Sequence, residues 1–463
     1  EYIAVKMQGT MHQSRRLLAA ASCAAAGLAG LGVAGERGIV HANPASHGTI
    51  GATKGLKLEQ VQVCFRHGAR TPYRQLDSTP EIDWPEHEVK DKLSLDLAKV
   101  KVFRRSDATG KVDPTPLTQE EIETIDLKLH HGGVLKGGAH PARLTKVGME
   151  QAIGLGKQLR ERYINTLPLV PKDWASAKES IFVRSTETER TIETAQGVLT
   201  GLFPEAVDGD DHPNIYLKTT EEDEWAVAHF EWCPRLKQLF KQSLRVLKIP
   251  TSDAAVKLLE ELREHVKLAL PQNAGAFSLS VYRDQLDCGQ AHGKPAVEGV
   301  DKVDDALNRL KDLDTKQIMK IMSGGLPDTE LEGTRLVAGR MVSRMIQSIE
   351  NHASDDKKFI LYSAHDWTII MLMMAVDPEG SDPRSHKWPK FCSDLAFEVW
   401  TVADEPELGE LVRIMLNGEP LELPSLRIGF RDATSGCTFY TFESLKEALD
   451  KFLLVEADLE KNC

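Results

Sequence analysis

Residues 61–72 read VQVCFRHGARTP, and this stretch decides how the rest of the chain is interpreted. The mostly apolar run at its start predicts a buried strand, and Arg66, His67 and Arg70 follow directly after it. Burying cations costs free energy unless an anion meets them. The stretch therefore predicts that a carboxylate of the protein or an anionic ligand lies at the end of this strand.

Two further segments repeat the order of apolar strand, polar turn and helix. The segment SIFVRST at 180–186 precedes TERTIETAQGVLTGLF, and KFILYSA at 358–364 precedes HDWTIIMLMMAV. Nearly continuous apolar strands that alternate with helices are typical of a sheet covered on both faces. We therefore predict an α/β fold with a mainly parallel central sheet flanked by helices.

The polar residues that follow these strands predict a phosphate-binding site. Ligands of such sheets bind beyond the carboxyl ends of the strands. The six side chains brought to this edge are Arg66, His67, Arg70, Arg184, His365 and Asp366. Three guanidinium groups suit the oxygens of a phosphoryl dianion better than a carboxylate. The predicted phosphate ligands are Arg66, Arg70, Arg184 and His365.

The remaining two residues favour catalysis over binding alone. Neutral imidazole is a nucleophile toward phosphorus, and a covalent intermediate divides one difficult displacement into two easier ones. His67 is the predicted nucleophile, and Asp366 is the predicted proton donor to the leaving alkoxide. Because arginines can stabilise a transferring phosphoryl group by themselves, no cofactor and no metal ion are expected. Each residue alone has a structural explanation, but their convergence at three strand ends favours the site.

Composition narrows the classes of function. The 463 residues are 41% hydrophobic and 27% charged, which is typical of a globular protein. A net charge of −12 argues against a nucleic-acid partner, which requires a basic face. The seven cysteines are widely spaced without a CxxC pair, so neither structural zinc nor a dense disulfide framework is predicted. One or two disulfides remain open, and we interpret the spacing of Cys288 and His292 as accidental.

Residues 1–54 predict a targeting region rather than part of the fold. No acidic residue occurs between Glu1 and Glu36, and the chain from Met11 reads MHQSRRLLAAASCAAAGLAGLGVAG. This composition fits a mitochondrial presequence or a secretory signal, and we favour the mitochondrion. No later segment reaches about 18 consecutive apolar residues, so no transmembrane helix is expected.

Residues 55–463 are predicted to form one domain that carries a cap. The cap elements are expected at about 75–140, which looks irregular and charged, and at about 205–315, where acidic runs precede helical patterns. The segments 394–402 and 410–421 read as antiparallel strands, with Asn417-Gly418 as a turn signal. The segment 144–164 reads as an amphipathic helix, with Ala152, Leu155, Leu159 and Tyr163 on one face.

The motifs resemble those of the histidine acid phosphatases. RHGARTP at 66–72 resembles the family's RHGxRxP signature, and YSAHD at 362–366 resembles its His-Asp signature. FVRSTETERTIETAQGVLTGLFP at 182–204 is similar to its central arginine segment, and the likeness runs through about residues 57–400. The resemblance implies an α/β body with a cap and metal-independent hydrolysis of a phosphomonoester through a phosphohistidine, with the six residues in the roles given above.

Two further segments resemble the branch of this family that acts on lysophosphatidic acid. They are LKGGAHPARLTKVGMEQ at 135–151 and HKWPKFCSDLAFEVW at 386–400. The resemblance implies a lysophospholipid substrate that is cleaved to monoacylglycerol and phosphate in mitochondria, and we expect the protein to be a monomer. Two alternatives stay open: a broad acid phosphatase for soluble phosphomonoesters, and a non-catalytic phosphate-binding scaffold. An apolar channel under the cap would favour the lipid, whereas the presence of all six motif residues opposes the scaffold.

Overall fold

A computed structural model describes most of the chain after residue 54. The described residues are 55–74, 82–107, 109–129, 133–220, 224–228, 230, 232–246, 278–294, 303–432, 436–455, 461 and 463. The predicted targeting region at 1–54 lies outside these ranges. So do parts of both predicted cap elements, including the helical pattern at 254–270.

A ten-stranded mixed sheet forms the body. Its strands are β1 (Leu56–Arg66), β2 (Lys101–Arg104), β3 (Ile181–Ser185), β4 (Asn214–Leu217), β5 (Phe359–Ala364), β6 (Asp394–Val402), β7 (Leu411–Leu416), β8 (Glu419–Pro420), β9 (Ile428–Arg431) and β10 (Thr438–Thr441). The strand order is β2-β4-β3-β5-β1-β6-β7-β10-β9, and β8 pairs with β7. The prediction of an α/β fold with a mainly parallel core is confirmed.

The three predicted strands are confirmed as β1, β3 and β5, and they lie side by side. β5 runs parallel to both neighbours and separates them. Its register sets Arg66 opposite Ala364 and Ser185 opposite Ser363, so the three strands end at the same level. This alignment gathers the residues that follow the strands at one edge of the sheet.

Helices cover both faces of the sheet. They are α1 (His87–Lys90), α2 (Gln119–Leu129), α3 (Lys146–Arg160), α4 (Trp174–Ala177), α5 (Glu189–Leu202), α6 (Pro234–Val246), α7 (Ser278–Ala291), α8 (Val303–Met322), α9 (Pro327–Glu350), α10 (Asp366–Val376) and α11 (Phe442–Asp450). Along β1, Val63 and Phe65 face the apolar layer that contains α3 and α5, whereas Cys64 faces the layer that contains α9 and α10. The second half of the strand is mostly apolar because both of its faces are buried there.

The amphipathic helix predicted at 144–164 is confirmed as α3 followed by one π-helical turn at Glu161–Thr166. Its predicted apolar face is buried against the sheet, with no residue of that face more than 5% exposed. Thr145 caps the helix by accepting a hydrogen bond from the Gly148 amide. The cap fixes where α3 begins, directly beside the loop that follows β1.

Both predicted cap elements contribute strands to the sheet, which sequence reasoning did not foresee. β2 lies in the segment that we expected to be irregular, and β4 lies in the segment that we expected to be helical. The two strands pair in parallel at the edge of the sheet next to β3. Each has only four residues, too few for a clear apolar run, so neither gave a strand signal.

The antiparallel half of the sheet follows the prediction. β6 pairs with β1 and β7, and the turn from β7 to β8 has positive φ at Asn417 and Gly418, as a tight hairpin requires. Cys233 and Cys463 form a disulfide, and Cys64, Cys288 and Cys392 are free thiols. Among the helices described, none is long and apolar enough to cross a membrane.

Candidate active site

The loop after β1 is held by backbone hydrogen bonds and by one close backbone contact. The amide of His67 donates to the carbonyl of Ala364 on β5 at 3.0 Å, and the amide of Gly68 donates to Oγ1 of Thr194 on α5 at 3.0 Å. A Cβ atom on Gly68 would lie 2.2 Å from the carbonyl oxygen of Gly148. Only glycine fits here, so the loop is pinned between β5, α5 and the start of α3.

His67 is completely buried, and its hydrogen bond sets the chemistry of the ring. Its Nδ1 lies 2.9 Å from the carbonyl oxygen of Gly68. Because a carbonyl only accepts, Nδ1 carries the proton and Nε2 carries the lone pair. The ring centroid lies 5.6 Å from that of His365 and 5.9 Å from that of Phe391. The arrangement makes Nε2 the atom available for attack on phosphorus.

Arg66 and Asp366 form a buried ion pair beside His67. Nη2 of Arg66 lies 2.8 Å from Oδ2 of Asp366, and the two side chains are 1% and 0% exposed. The Asp366 Oδ1 atom accepts a hydrogen bond from the Trp367 amide at 2.9 Å in the first turn of α10. Arg66 is held by donating from Nη1 to the Pro389 carbonyl at 2.6 Å and by the ring of Phe391, 4.1 Å from its guanidinium carbon. Both predicted residues thus lie at the same point of the sheet edge.

His365 precedes α10 and contacts an arginine that sequence reasoning did not select. Its Nδ1 lies 3.5 Å from Nη2 of Arg190, and its Nε2 lies 2.9 Å from Oγ1 of Thr186. A guanidinium only donates, so Nδ1 accepts and Nε2 carries the proton. Arg190 is the second residue of α5 and is 4% exposed. The first turn of α5, which follows β3, thus presents a buried guanidinium to His365.

The predicted phosphate ligand Arg184 is paired with Asp107 in the structure, and the arginine that contacts His365 is Arg190 instead. Nε of Arg184 lies 3.5 Å from the carboxylate of Asp107, and its guanidinium lies 5.7 Å from the Trp225 ring. Asp107 also accepts from the indole of Trp225 at 2.6 Å. Side chains of a strand alternate between faces, and Arg184 points into the α9 and α10 layer. One feature of the sequence could have indicated Arg190 as an anion-binding residue: it lies in the first turn of a helix that follows a strand, where anions bind.

A buried charge network anchors the first turn of α5. Glu189 pairs with Arg143, and Lys92 lies 3.8 Å from Glu189 and 2.6 Å from Glu193. Two anions meet two cations, so no net charge is left buried. Lys92 lies within the predicted cap element at 75–140, which therefore supports the helix that presents Arg190.

Arg70 is paired with a residue of the cap helix α7. Its Nη2 donates to Oδ1 of Asp284 at 2.7 Å, and the backbone amide of Tyr73 donates to Oδ2 of Asp284 at 3.0 Å. Nη1 of Arg70 lies 3.6 Å from Sγ of Cys288, and burial raises the pKa of that thiol well above its usual range. A protein carboxylate thus lies against the guanidinium that we assigned to phosphate, and α7, which belongs to the predicted cap element at 205–315, contacts the site directly.

The pairing of Asp284 with Arg70 leads to a prediction about phosphate. Asp284→Asn removes the anion and leaves a buried guanidinium, which we expect to lower stability by about 3–5 kcal/mol. Inorganic phosphate then becomes the anion that can compensate Arg70, so it should raise the Tm of this variant more than that of the wild type. Thermal unfolding with and without phosphate measures both effects.

A buried aspartate on the same helix provides the matched control. Asp287 pairs with Lys311 at 2.6 Å and with Arg283 at 3.5 Å, away from Arg70. Asp287→Asn should therefore lower Tm without enlarging the shift caused by phosphate. Equal phosphate shifts in both variants would contradict the assignment of Arg70 to phosphate.

The buried carboxyl of Asp394 should make the folding stability depend on pH. Asp394 begins β6 opposite Phe65, and burial raises the pKa of its carboxyl to about 6, against a smaller opposing effect of Arg162. The folded protein therefore binds a proton that the unfolded chain has already lost, and stability falls as pH rises from about 4 to 6. Asparagine does not titrate. The free energy of unfolding of Asp394→Asn should therefore rise by on the order of 3 kcal/mol relative to that of the wild type between pH 4 and pH 7. Denaturant unfolding at the two pH values tests this difference, and a difference that does not change with pH would contradict it.

His292 is occupied by protein partners. Its Nδ1 lies 2.7 Å from the Cys288 carbonyl oxygen, and its Nε2 lies 2.8 Å from Oγ1 of Thr145, the cap of α3. Across the described ranges, no three His, Cys, Asp or Glu side chains are grouped so that they could hold a metal ion. The Cys288 and His292 spacing therefore reflects a structural contact between α7 and α3.

Comparison with known families agrees with this geometry. The model of the histidine phosphatase superfamily (branch 2) matches residues 57–417, most of the chain. The chain belongs to this superfamily. It is 26% identical to lysophosphatidic acid phosphatase type 6 of Homo sapiens over 361 residues, an alignment that covers 76% of each protein. It is also 25% identical over 329 residues to a probable acid phosphatase of Dictyostelium discoideum, covering 67% of this chain and 68% of that one.

Solved structures share the fold of this histidine phosphatase. The phytase of Citrobacter braakii superposes with a TM-score of 0.55 at 15% identity, over 86% of this chain and 98% of that one. The phytase of Klebsiella sp ASR1 gives a TM-score of 0.54 at 16% identity, over 87% and 96%. Together with the superfamily match, the acid phosphatase relatives identify this protein as a phosphoric monoester hydrolase.

Proposed function

We propose that this histidine phosphatase hydrolyses lysophosphatidic acid to monoacylglycerol and inorganic phosphate through a phosphohistidine on His67. The observation that carries the chemistry is the buried cluster at the sheet edge, in which His67, the Arg66–Asp366 pair, and the contact between His365 and Arg190 lie together. The names of the relatives support the lipid substrate. The phytase structures bear on the fold alone.

In the first step, the phosphoryl group transfers from the substrate to His67. The phosphoryl oxygens are bound by Arg66, Arg70, Arg190 and His365. The lone pair on Nε2 attacks phosphorus while the bond to the glycerol oxygen breaks, and Asp366 donates its proton to that oxygen. The phosphate dianion attracts the guanidinium of Arg66, which lies 2.8 Å from Asp366 in the structure. The negative charge of the dianion also favours the protonated form of the Asp366 carboxyl.

In the second step, water removes the phosphoryl group. The Asp366 carboxylate takes a proton from water, the water oxygen attacks phosphorus, and the bond between Nε2 and phosphorus breaks. Inorganic phosphate leaves, and Nε2 recovers its lone pair. The hydrogen bond from Nδ1 to the Gly68 carbonyl holds the ring in one orientation through both steps.

We further propose a mitochondrial location and a monomeric state. The arginine-containing region at 1–54, which has no acidic residue between Glu1 and Glu36, supports the first, and the secretory pathway is the alternative. The disulfide between Cys233 and Cys463 favours an oxidising compartment, which also fits the secretory alternative. Imaging of the tagged chain with and without residues 1–54 tests the location, and light scattering tests the monomer. A secretory signal or a stable dimer would contradict the respective proposal.

The substrate assignment is tested by phosphate release from lysophosphatidic acid and from glycerol 3-phosphate, each with and without EDTA. The two substrates share the phosphoglycerol head and differ in the acyl chain. We expect release from the lipid to be about tenfold faster or more, at least ~1.4 kcal/mol in transition-state binding, and to be unaffected by the chelator. Equal rates on both would leave the phosphatase chemistry standing and remove the lipid from the proposal. Loss of activity in EDTA would instead overturn the metal-independent mechanism.

A further inference from the structure

A second cleft lies away from the catalytic cluster. It has a volume of about 660 Å³, within the range of roughly 300–1,000 Å³ that is typical of small-molecule sites. Its walls are formed by the C-terminal half of α8, the start of α9, the end of α10 and the segment after α11. The cleft shares no lining residue with the proposed active site. Asp366 and Met374 stand at opposite ends of α10, about 12 Å apart along the helix.

The floor of the cleft is apolar and adaptable. Met374 and Phe452 are buried beneath it, and Met319 lines its side. Methionine side chains are flexible and polarisable, so they pack against ligands of irregular shape. Leu331 lies at the mouth and is 50% exposed, and the neighbouring Leu326 is 36% exposed. Apolar surface at a mouth and on a floor fits a ligand with a hydrocarbon chain.

The rim of the cleft is cationic in a protein of net charge −12. Lys316, Lys320 and Lys451 line it and are exposed, and Glu330 is the anionic residue of the lining. Lys316 and Lys320 stand one turn apart on α8, where like charges repel and destabilise a helix. Within the described ranges, neither lysine has a carboxylate partner, although Glu330 lines the same cleft. A site that keeps two unpaired cations side by side is complementary to an anion.

We propose that this cleft binds a single-chain anionic amphiphile, with its chain on the methionine floor and its head group between Lys316 and Lys320. Fatty carboxylates and phosphate-headed lysolipids share this chemistry. A neutral monoacylglycerol has the chain without the charge and therefore binds more weakly. The site is separate from the catalytic cluster and does not depend on the identity of the hydrolysed substrate.

Titration calorimetry on the full chain tests this site with laurate, kept below its aggregation concentration, and with neutral monolaurin. Inorganic phosphate is left out of these titrations, because it would compete for the lysine rim, and the charge-reversal variant distinguishes the rim from the catalytic cluster. The variant Lys316→Glu/Lys320→Glu reverses the rim charge at two exposed positions. Lys157→Glu/Lys172→Glu makes the same change of charge at two exposed lysines elsewhere and serves as the control. Lauroyl lysophosphatidate, measured with His67→Ala to prevent turnover, provides the phosphate-headed arm.

We expect laurate, the lysolipid or both to bind the wild-type rim, and monolaurin to bind more weakly. Reversing Lys316 and Lys320 should weaken anion binding about tenfold or more, because two attractive contacts become repulsive, whereas the control double variant should match wild type. Hydrolysis of p-nitrophenyl phosphate should be unchanged in both double variants. The tighter of the two anions identifies the head group. Absence of binding by both anions, or binding that the charge reversal leaves unchanged, would overturn the proposal.

Discussion

Replacing His67 by alanine is expected to lower kcat for any phosphomonoester by about 10⁵–10⁶-fold, the scale observed when a covalent mechanism loses its nucleophile. The expectation rests on the buried imidazole whose Nδ1 is tied to Gly68, which leaves Nε2 as the attacking atom. The loss should fall on kcat, because the arginines that bind phosphate remain in place. Stopped reactions with radiolabelled substrate should label the wild-type protein and leave the variant unlabelled.

His352 provides a matched control for the removal of a buried imidazole. It is 5% exposed and its Nδ1 lies 2.8 Å from the Ile349 carbonyl oxygen, at the end of α9. His352→Ala should lower Tm while leaving kcat within about twofold of wild type, since its ring is remote from the reacting atoms. Turnover by His67→Ala at a rate near that of wild type would falsify the phosphohistidine mechanism.

The two arginines near the end of β3 should respond to substitution in opposite ways. Arg190→Ala is expected to lower kcat/KM by about 10²–10³-fold, or ~2.7–4 kcal/mol, because one donor to the transition-state phosphoryl charge is lost. Arg184→Ala removes a cation 3.5 Å from Asp107, whose carboxylate keeps its pair with Arg105 at 2.6 Å, so it should lower stability by about 1–3 kcal/mol instead. Steady-state kinetics and denaturant unfolding on the same two proteins separate these effects.

Arg184 and Arg190 are well matched for this comparison, since they are 2% and 4% exposed and lie six residues apart. The folded fraction of Arg184→Ala, corrected for stability, should retain most of the activity. A large fall in kcat for folded Arg184→Ala, together with normal kinetics for Arg190→Ala, would restore the original assignment from the sequence.

The parallel core could be predicted because its signals are local. β1, β3 and β5 are buried on both faces, so each has a mostly apolar segment that a sequence window detects. Their order in the sheet could not be predicted, because β5 pairs with β1 about 300 residues away and with β3 about 180 residues away. β2 and β4 lie at the edge of the sheet, where four residues suffice and the apolar signal is correspondingly weak.

Site residues that directly follow a strand could be predicted from the sequence. Those supplied by a helix or by the predicted cap segments were harder to predict. Arg66, His67, His365 and Asp366 stand immediately at strand ends, and the structure brings them together. Arg184 was misassigned because its side chain leaves β3 on the face opposite the cluster, which its position in the sequence does not reveal. Arg190 instead comes from the first turn of α5. Asp284 lies 214 residues from Arg70, and no pattern in the sequence connects the two.

The contact between Gly68 and Gly148 limits which variants of this protein can exist. A Cβ on Gly68 would lie 2.2 Å from the Gly148 carbonyl oxygen, and a Cβ on Gly148 would lie 2.0 Å from the Ala69 carbonyl oxygen. Each obstacle is a backbone atom, so no change of side chain at the other position relieves it. The two positions should therefore show invariance rather than compensating covariation in a randomised library selected for activity, although they lie 80 residues apart in the chain.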